Sequence, residues 1–371
     1  MKLNKEFICH PTVFAIEDSY QIILPVKSEM LFWVEVDGVK YYDHSCGILV
    51  SSTLIHKVAL PMKALNRAKK YTVCYKKIID RKPYFPETEE LVEITYKFHP
   101  ITGRKPIKFY HVSDAHGRVE ASVSAAKARF GKDIDLLVLN GDIANHSGNF
   151  ENICMLYQIA SGITEGKKPC IFSRGNHDMR GAMAEKLADF TPTAGGLTYF
   201  TFRLGSLWGV VLDCAEDKLD TNEEYGGTIC CHEYRLAETE FLKSVVKSKK
   251  YASKGIKHRI VISHLPFTIR NFEDDGIFDI ENDIFSEWVK LLNDGIKPDL
   301  LLSGHFHRCE TVLPSDELDH RGQTFPVVIG AKPGALNGES GFSGSAIVFE
   351  DNEISLQFTD SLGNTEDKIN L

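Results

Sequence analysis

Two kinds of sequence pattern in one chain predict an all-β sandwich at the N-terminus followed by a layered α/β domain. Residues 6–100 carry seven short stretches rich in aromatic and β-branched residues, with turn signals such as Asp37-Gly38 between them. After residue 100, near-continuous apolar runs alternate with helical stretches. Short alternating strands suit antiparallel sheets, whereas unbroken apolar runs suit parallel strands buried on both faces. Length agrees, since 371 residues, 43% hydrophobic and 25% charged, exceed what usually packs around one core.

The seven N-terminal stretches are FICHPTVFAI, YQIILPV, MLFWVEV, VKYYDH, LIHKVAL, YTVCYKKI and LVEITYKF. Tyr71, Val73 and Tyr75 alternate after a polar turn, as in the penultimate strand of a sandwich, and Tyr71 is placed to form a tyrosine corner. This region resembles a fibronectin type III or immunoglobulin-like module. The Pro-containing basic stretch around residues 100–110 reads as a linker, dividing the chain into 1–104 and 105–371. Beyond it come strand IKFYHVS, helix RVEASVSAAKARFG, strand LLVLN, helix ENICMLYQIASG and strand PCIFS. A hairpin LTYFTFRLGSLWGVVLDC, helix EYRLAETEFLKSVVKSKKYA, strand RIVIS, helix DIFSEWVKLLND and strand LLLS continue the alternation. FPVVIGA, SAIVFE and ISLQFTD end the chain as strands.

The formal charge is -8 with a pI near 6.0, which leaves no global positive field for nucleic acid. The basic run from Lys243 to Arg259 reads as a solvated helix face and turn. Nine cysteines without a CxxC pair read as reduced thiols, and Cys230 and Cys231 as small buried hydrophobes. With no secretory-type apolar stretch at the start and no run long enough to span a bilayer, the expectation is a cytoplasmic protein without a membrane partner.

Chemistry gathers where the strands end. IKFYHVS is followed by Asp114 and His116, LLVLN by Gly141 and Asp142, and PCIFS by Arg174, Gly175, Asn176, His177 and Asp178. RIVIS leads to His264, and LLLS to Gly304, His305 and His307. The carboxyl ends of such strands form the crevice where ligands bind, so these distant groups are expected to converge. Two carboxylates, one amide oxygen and four imidazoles suit Mn, Fe, Zn or Co, and seven donors exceed what one ion takes. Two ions roughly 3.5 to 4 Å apart fit the arithmetic. Gly141, Gly175 and Gly304 precede ligands and are expected to permit the tight turns.

The order Asp-x-His, Gly-Asp, Gly-Asn-His-Asp, a lone His after a strand, and Gly-His-x-His resembles the calcineurin-like metallophosphoesterases over about residues 107–350. The resemblance implies a central β-sandwich flanked by helices and a dinuclear centre hydrolysing phosphomono- or phosphodiesters. It implies that Asp114, His116 and His307 hold a first ion, that Asn176, His264 and His305 hold a second, and that Asp142 bridges them. His177 matches the family's non-ligand histidine, which faces the substrate and can protonate the leaving oxygen. The cofactors implied are two divalent or trivalent transition metal ions, Mn, Fe or Zn, and the partner a small phosphorylated substrate. A nuclease of the same superfamily, and a non-catalytic metal-binding scaffold with an adhesion or carbohydrate-binding sandwich, are the alternatives; the acidic balance argues against the first and the intact donor set against the second.

A second resemblance is to purple acid phosphatases, whose catalytic domain also follows a fibronectin-like module and whose last motif continues to a Glu, here Glu310. This chain departs from them, with Asn145 where they carry a Tyr ligand and His116 where their first motif lacks a His. It departs from the serine/threonine phosphatases too, since Asn145 and His146 replace an Asp and an Arg. Without that Asp, the acid role of His177 is expected to be weaker or to run through Asp178. Arg174 and His146 are candidates to approach the substrate, and the acidic loop Asn271 to Ile284 is a candidate lid.

Overall fold

A computed structural model describes residues 2–103, 106–269, 276–350 and 353–371. The 104/105 division and residues 271–275 of the acidic loop lie outside the described residues.

All seven N-terminal stretches form strands. Thr12–Ile16, Ser19–Pro25 and Ile55–Pro61 pair antiparallel in that order, and Val39–Tyr42, Met30–Val36, Lys70–Asp80 and Val92–Lys97 form a second antiparallel sheet. Alternation drives the burial: along Met30–Val36 every second side chain is buried. The faces of the two sheets meet through Ile22, Leu24, Phe32, Val34, Val73 and Tyr96, each removing apolar surface worth about 1.5–3 kcal/mol. Between the strands ending at Pro61 and starting at Lys70, the chain forms the helix Met62–Ala68 rather than a bare polar turn.

The first three strands do not close a separate unit. Thr12–Ile16 pairs in parallel with Pro169–Ser173 of the following region, joining Val13 to Pro169 and Phe14 to Cys170. The seam extends through Gln21 Nε2 donating to Thr193 O at 2.7 Å and Lys57 Nζ donating to Ala188 O at 2.7 Å. Tyr71 belongs to this seam. Its hydroxyl donates to Gly166 O at 2.8 Å, across to the helix–strand loop of the α/β region, so the expected tyrosine corner within the module does not form.

The α/β region is built of two sheets face to face. In one, Phe342–Phe349 runs antiparallel to Ile107–Val112, which continues in parallel through Leu136–Asn140 and Pro169–Ser173. In the other, Phe200–Leu204 pairs antiparallel with Leu207–Val211, followed in parallel by His258–Ile262, Leu300–Ser303 and Val327–Pro333. Val327–Pro333 crosses from one sheet to the other, pairing Val328 with Leu302 and Ala331 with Gly344. Phe109, Val138 and Ile347 of the first sheet share an apolar cluster with Val211, Ile262 and Leu302 of the second. Helices cover both outer faces: Val119–Phe130 and Phe150–Thr164 on the first, Cys231–Ser248 and Asn282–Leu291 on the second. Asn149 starts one of them by accepting the Asn152 N–H at 2.8 Å, satisfying an otherwise orphan donor.

The basic run from Lys243 lies partly on an exposed helix face, where Lys243 pairs with Glu240 and Glu287 at 2.9 and 3.0 Å. Cys231 is buried as expected, but Cys230 is exposed at the helix N-cap. Among the described residues, no helix is long and apolar enough to cross a membrane.

His111, fully buried in the strand Ile107–Val112, sets one testable property of this core. Burial pushes its imidazole down to about 3, against an ordinary 6.5. Below pH 6.5 the unfolded chain takes up a proton that the folded chain refuses until near pH 3, so the residue removes stability as pH falls through that window. Between pH 6.5 and 5 the loss is about 2 kcal/mol, at ~1.4 kcal/mol per pH unit. Urea unfolding at both pH values is expected to show a smaller acid loss, by about that amount, in His111→Gln than in the wild type.

Candidate metal centre

The parallel strands of both sheets end at one edge, and every strand-end residue predicted from the sequence arrives there. Asp114 and His116 follow Val112, Asp142 follows Asn140, Asn176 and His177 follow Ser173, His264 follows Ile262, and His305 and His307 follow Ser303. The potential ligand atoms of Asp114, His116 and His307 lie within 4.8 Å of one another, and so do those of Asp142, His264 and His305. The two groups touch, with His264 Nε2 3.8 Å from Asp114 Oδ1 and 3.2 Å from Asp142 Oδ2. His116 Nε2 and His307 Nε2 face each other at 3.0 Å.

Backbone shape accounts for the convergence. Asp114, His116, Asp142, His305 and His307 all have positive φ, between 45° and 70°. Non-glycine residues pay for that conformation, of order 1 kcal/mol each, and keep it where surrounding contacts over-determine it. Here the contacts are visible: the His305 N–H donates to Asp114 Oδ2 at 2.9 Å, and the His177 N–H to Asp142 Oδ1 at 2.9 Å. Two of the three glycines serve a different purpose from the one expected. Gly141 does turn at φ +79°, but Gly175 and Gly304 do not have positive φ. A Cβ at Gly304 would fall 1.8 Å from Ser113 Oγ, and one at Gly175 would fall 2.2 Å from Asp142 Oδ1, so both are needed for close approach.

Each imidazole has one nitrogen turned inward and, in His264 and His116, the other braced by a hydrogen bond. His264 Nδ1 lies 2.7 Å from the Asn140 carbonyl, which takes its proton and leaves Nε2 for the centre. His116 Nδ1 lies 3.0 Å from Asn145 Oδ1, and His305 Nε2 lies 3.6 Å from Asp217 Oδ2 while its Nδ1 faces Asn176. Asn145 thus orients His116 by hydrogen bonding. No tyrosinate stands at that position, and loading the protein with iron is expected to give no intense visible charge-transfer band, which absorption spectroscopy checks.

The donor set fits cations. Asn176 Oδ1 is oriented toward Asp142 Oδ2 at 3.2 Å and His264 Nε2 at 3.3 Å, while its NH2 faces Arg180 Nη2 at 3.1 Å. Reversing the amide would satisfy all of these contacts in a cation-free pocket. Carboxylate and imidazole atoms gathered within 4.8 Å in each cluster are the donors that divalent transition metals take. Burial opposes charge on both carboxylates and on His264, yet their mutual attraction wins: Asp114 and Asp142 stay below the usual carboxylate range, and His264 is pushed up to about 10. Without a metal, a proton on His264 balances the two acids. Burial, with His264 beside it, lowers His305 to about 4, keeping that ligand neutral and ready to coordinate.

Other sequence readings change. Asp178 does not assist His177; it is buried, and its Oδ2 accepts the N–H of Gly175 at 2.8 Å and of Asp142 at 3.2 Å. Burial, then the neighbouring Asp142, raises its carboxyl to about 7. His177 Nδ1 instead meets the Asn145 carbonyl at 2.8 Å, and its ring stands edge-on to His116 with centroids 4.9 Å apart. Arg174 pairs with buried Asp213 at 2.7 Å, and His146 caps its own loop by accepting the Gly148 N–H. Sequence reasoning missed Asp217 and its neighbour Glu216, which clamps Arg180 through two bonds of 2.8 Å. Both lie beyond the end of the apolar strand Leu207–Val211, farther along the loop than the predicted ligands lie from theirs and outside any motif.

Similarity agrees with the geometry. Residues 107–309, more than half of the chain, match the profile of the calcineurin-like phosphoesterases. Purple acid phosphatase PPD1 from yellow lupin (Lupinus luteus) seeds superposes with a TM-score of 0.63 at 13% identity, covering 97% of this chain and 73% of that one. That is a likeness of fold, and it spans the N-terminal β region as well. A Streptococcus pneumoniae protein described as a predicted phosphoesterase has 12% identity and a TM-score of 0.33, over 72% of this chain and 99% of that one. No curated protein matches in sequence. The strand-end donors and the matched segment together place this chain in the calcineurin-like phosphoesterase family.

Proposed function

We propose that the protein hydrolyses phosphomono- or phosphodiester bonds of a small phosphorylated substrate with two metal ions, Mn, Fe or Zn. The observation that carries this reading is the pair of adjoining three-residue clusters within 4.8 Å limits. Asp114, His116 and His307 would hold the first ion and Asn176, His264 and His305 the second, with Asp142 as the ligand that both would share. When bound, such a pair lowers the pKa of a shared water toward ~7 and offsets charge on the phosphoryl oxygens. The chain supplies the rest. Buried Asp114 and Asp142 bring negative charge that the ions need, and Asn140 and Asn145 hold the imidazoles of His264 and His116 in the orientation that exposes the correct nitrogen. His177, whose Nδ1–H donates to the Asn145 carbonyl, leaves Nε2 to give a proton to the leaving oxygen when the ring is an imidazolium. We read the N-terminal module as fibronectin III-like.

The test is a panel of phosphomonoesters, phosphodiesters and short DNA and RNA, assayed with Mn, Fe, Zn and Co in turn. Hydrolysis of small esters, lost on chelation and restored by metal, is expected. A metal-loaded protein inactive on every ester would refute the reading, and turnover confined to nucleic acid would move it to a nuclease.

A further inference from the structure

Beside the centre lies a cleft that the metal ligands do not explain. It encloses about 720 Å³ including its open mouth, and Leu265, Phe267, Ile269, Ile280 and Phe285 form its apolar walls, with Phe278 at the exposed rim. His305 and Asp217 line it as well, so a group seated there adjoins the second cluster directly. An aromatic-walled concavity touching a reaction centre is where the organic part of a substrate gains binding energy.

Two observations say what kind of group fits. Arg321 lines the cleft with its side chain only 6% exposed, 3.6 Å from Asp279 and donating through Nη2 to Asn282, and its buried Nε–H has no hydrogen-bond partner among the described residues. A guanidinium buried among rings suits a planar group, on which it stacks. The protein's own cations already attend the rings: Lys218 lies 5.3 Å over Phe278, Arg308 5.9 Å over Phe306, and Arg321 5.8 Å over Phe285. The carboxylates nearby are also engaged, Asp217 with Lys218 at 3.8 Å and Asp279 with Arg321. A quaternary ammonium would therefore meet positive charge on these aromatic faces, whereas a neutral ring meets apolar walls.

We infer that this cleft is the subsite for the leaving alcohol, and that the alcohol carries a neutral aromatic group. The inference rests on the phosphoesterase reading above and names its substrate class.

Steady-state kinetics on ethyl, 2-phenylethyl and choline phosphates, each also as its methyl diester, test it in the metal-loaded protein. Ethyl and phenylethyl alcohols are primary and similar as leaving groups, so their difference reports binding of the ring. The phenylethyl ester is expected to exceed the ethyl ester in kcat/KM by about tenfold or more, mainly through KM. Phe278→Ala at the exposed rim, and Ile269→Trp filling the cleft, are each expected to raise KM for the phenylethyl ester. Both should cost the ethyl ester less than the phenylethyl ester, so that the ratio of their kcat/KM values narrows. Equal kcat/KM for the ethyl and phenylethyl esters, a preference for the choline ester, or equal losses on both esters in the folded Phe278→Ala protein would overturn the subsite while hydrolysis itself stands. Inactivity on all esters would instead remove the phosphoesterase reading beneath it.

Discussion

Asp142→Ala is expected to abolish turnover, lowering kcat/KM by at least about 10³-fold, the upper scale for deleting one preorganised electrostatic group. Asp142 is 1% exposed, faces His264 Nε2 at 3.2 Å, and accepts the His177 N–H at 2.9 Å. Its loss strips charge from the second cluster and releases the turn that carries Asn176 and His177. Elemental analysis should find fewer than two ions per chain. In the metal-free protein His264 would keep a buried proton with half of its compensation gone, and breaking such a pair costs about 3–5 kcal/mol. Asp142→Asn, which preserves shape, separates the two effects: it should fold more stably than the Ala variant and remain inactive. Activity at the wild-type level in either variant would show the dinuclear assignment to be wrong.

His177→Ala is expected to keep both ions and lose about 10²-fold or more in kcat, the usual scale of general acid catalysis. The size of the loss should depend on the leaving group. A poorly acidic alkoxide needs the proton that His177 holds, whereas a nitrophenolate leaves without it, so aryl esters should suffer less than alkyl esters. Loss of the ions in this variant would instead make His177 a ligand. Asn145, whose carbonyl anchors His177 Nδ1 and whose side chain holds His116 Nδ1, couples this residue to the first cluster.

Much of this site could be read from the chain because its ligands obey a local rule. Each one directly follows an apolar strand, and strands are visible from hydrophobic runs alone. Asp217 lies farther along its loop, well past Leu207–Val211, where acids are common and no metal-binding motif surrounds it, so the rule does not mark it. The roles of Asp178 and Tyr71 were misread for a different reason. Tyr71 is satisfied by the Gly166 carbonyl and Asp178 by the Asp142 N–H as well as by nearby Gly175, and no spacing in the sequence encodes the distant partners. The seam between Thr12–Ile16 and Pro169–Ser173 was hidden likewise, since a parallel pairing across so many residues leaves no trace in either strand's composition.

The residues themselves determined the donor chemistry, the order of the strands and helices, and the edge at which the donors had to meet, because burial and side-chain type are written position by position. The folded chain alone decided which nitrogen each imidazole turns inward, and that a ring-lined cleft opens beside the donors. Those outcomes depend on sheet register, on the left-handed backbone at five ligands, and on contacts between residues far apart in the chain, and none of these is a property of neighbouring letters.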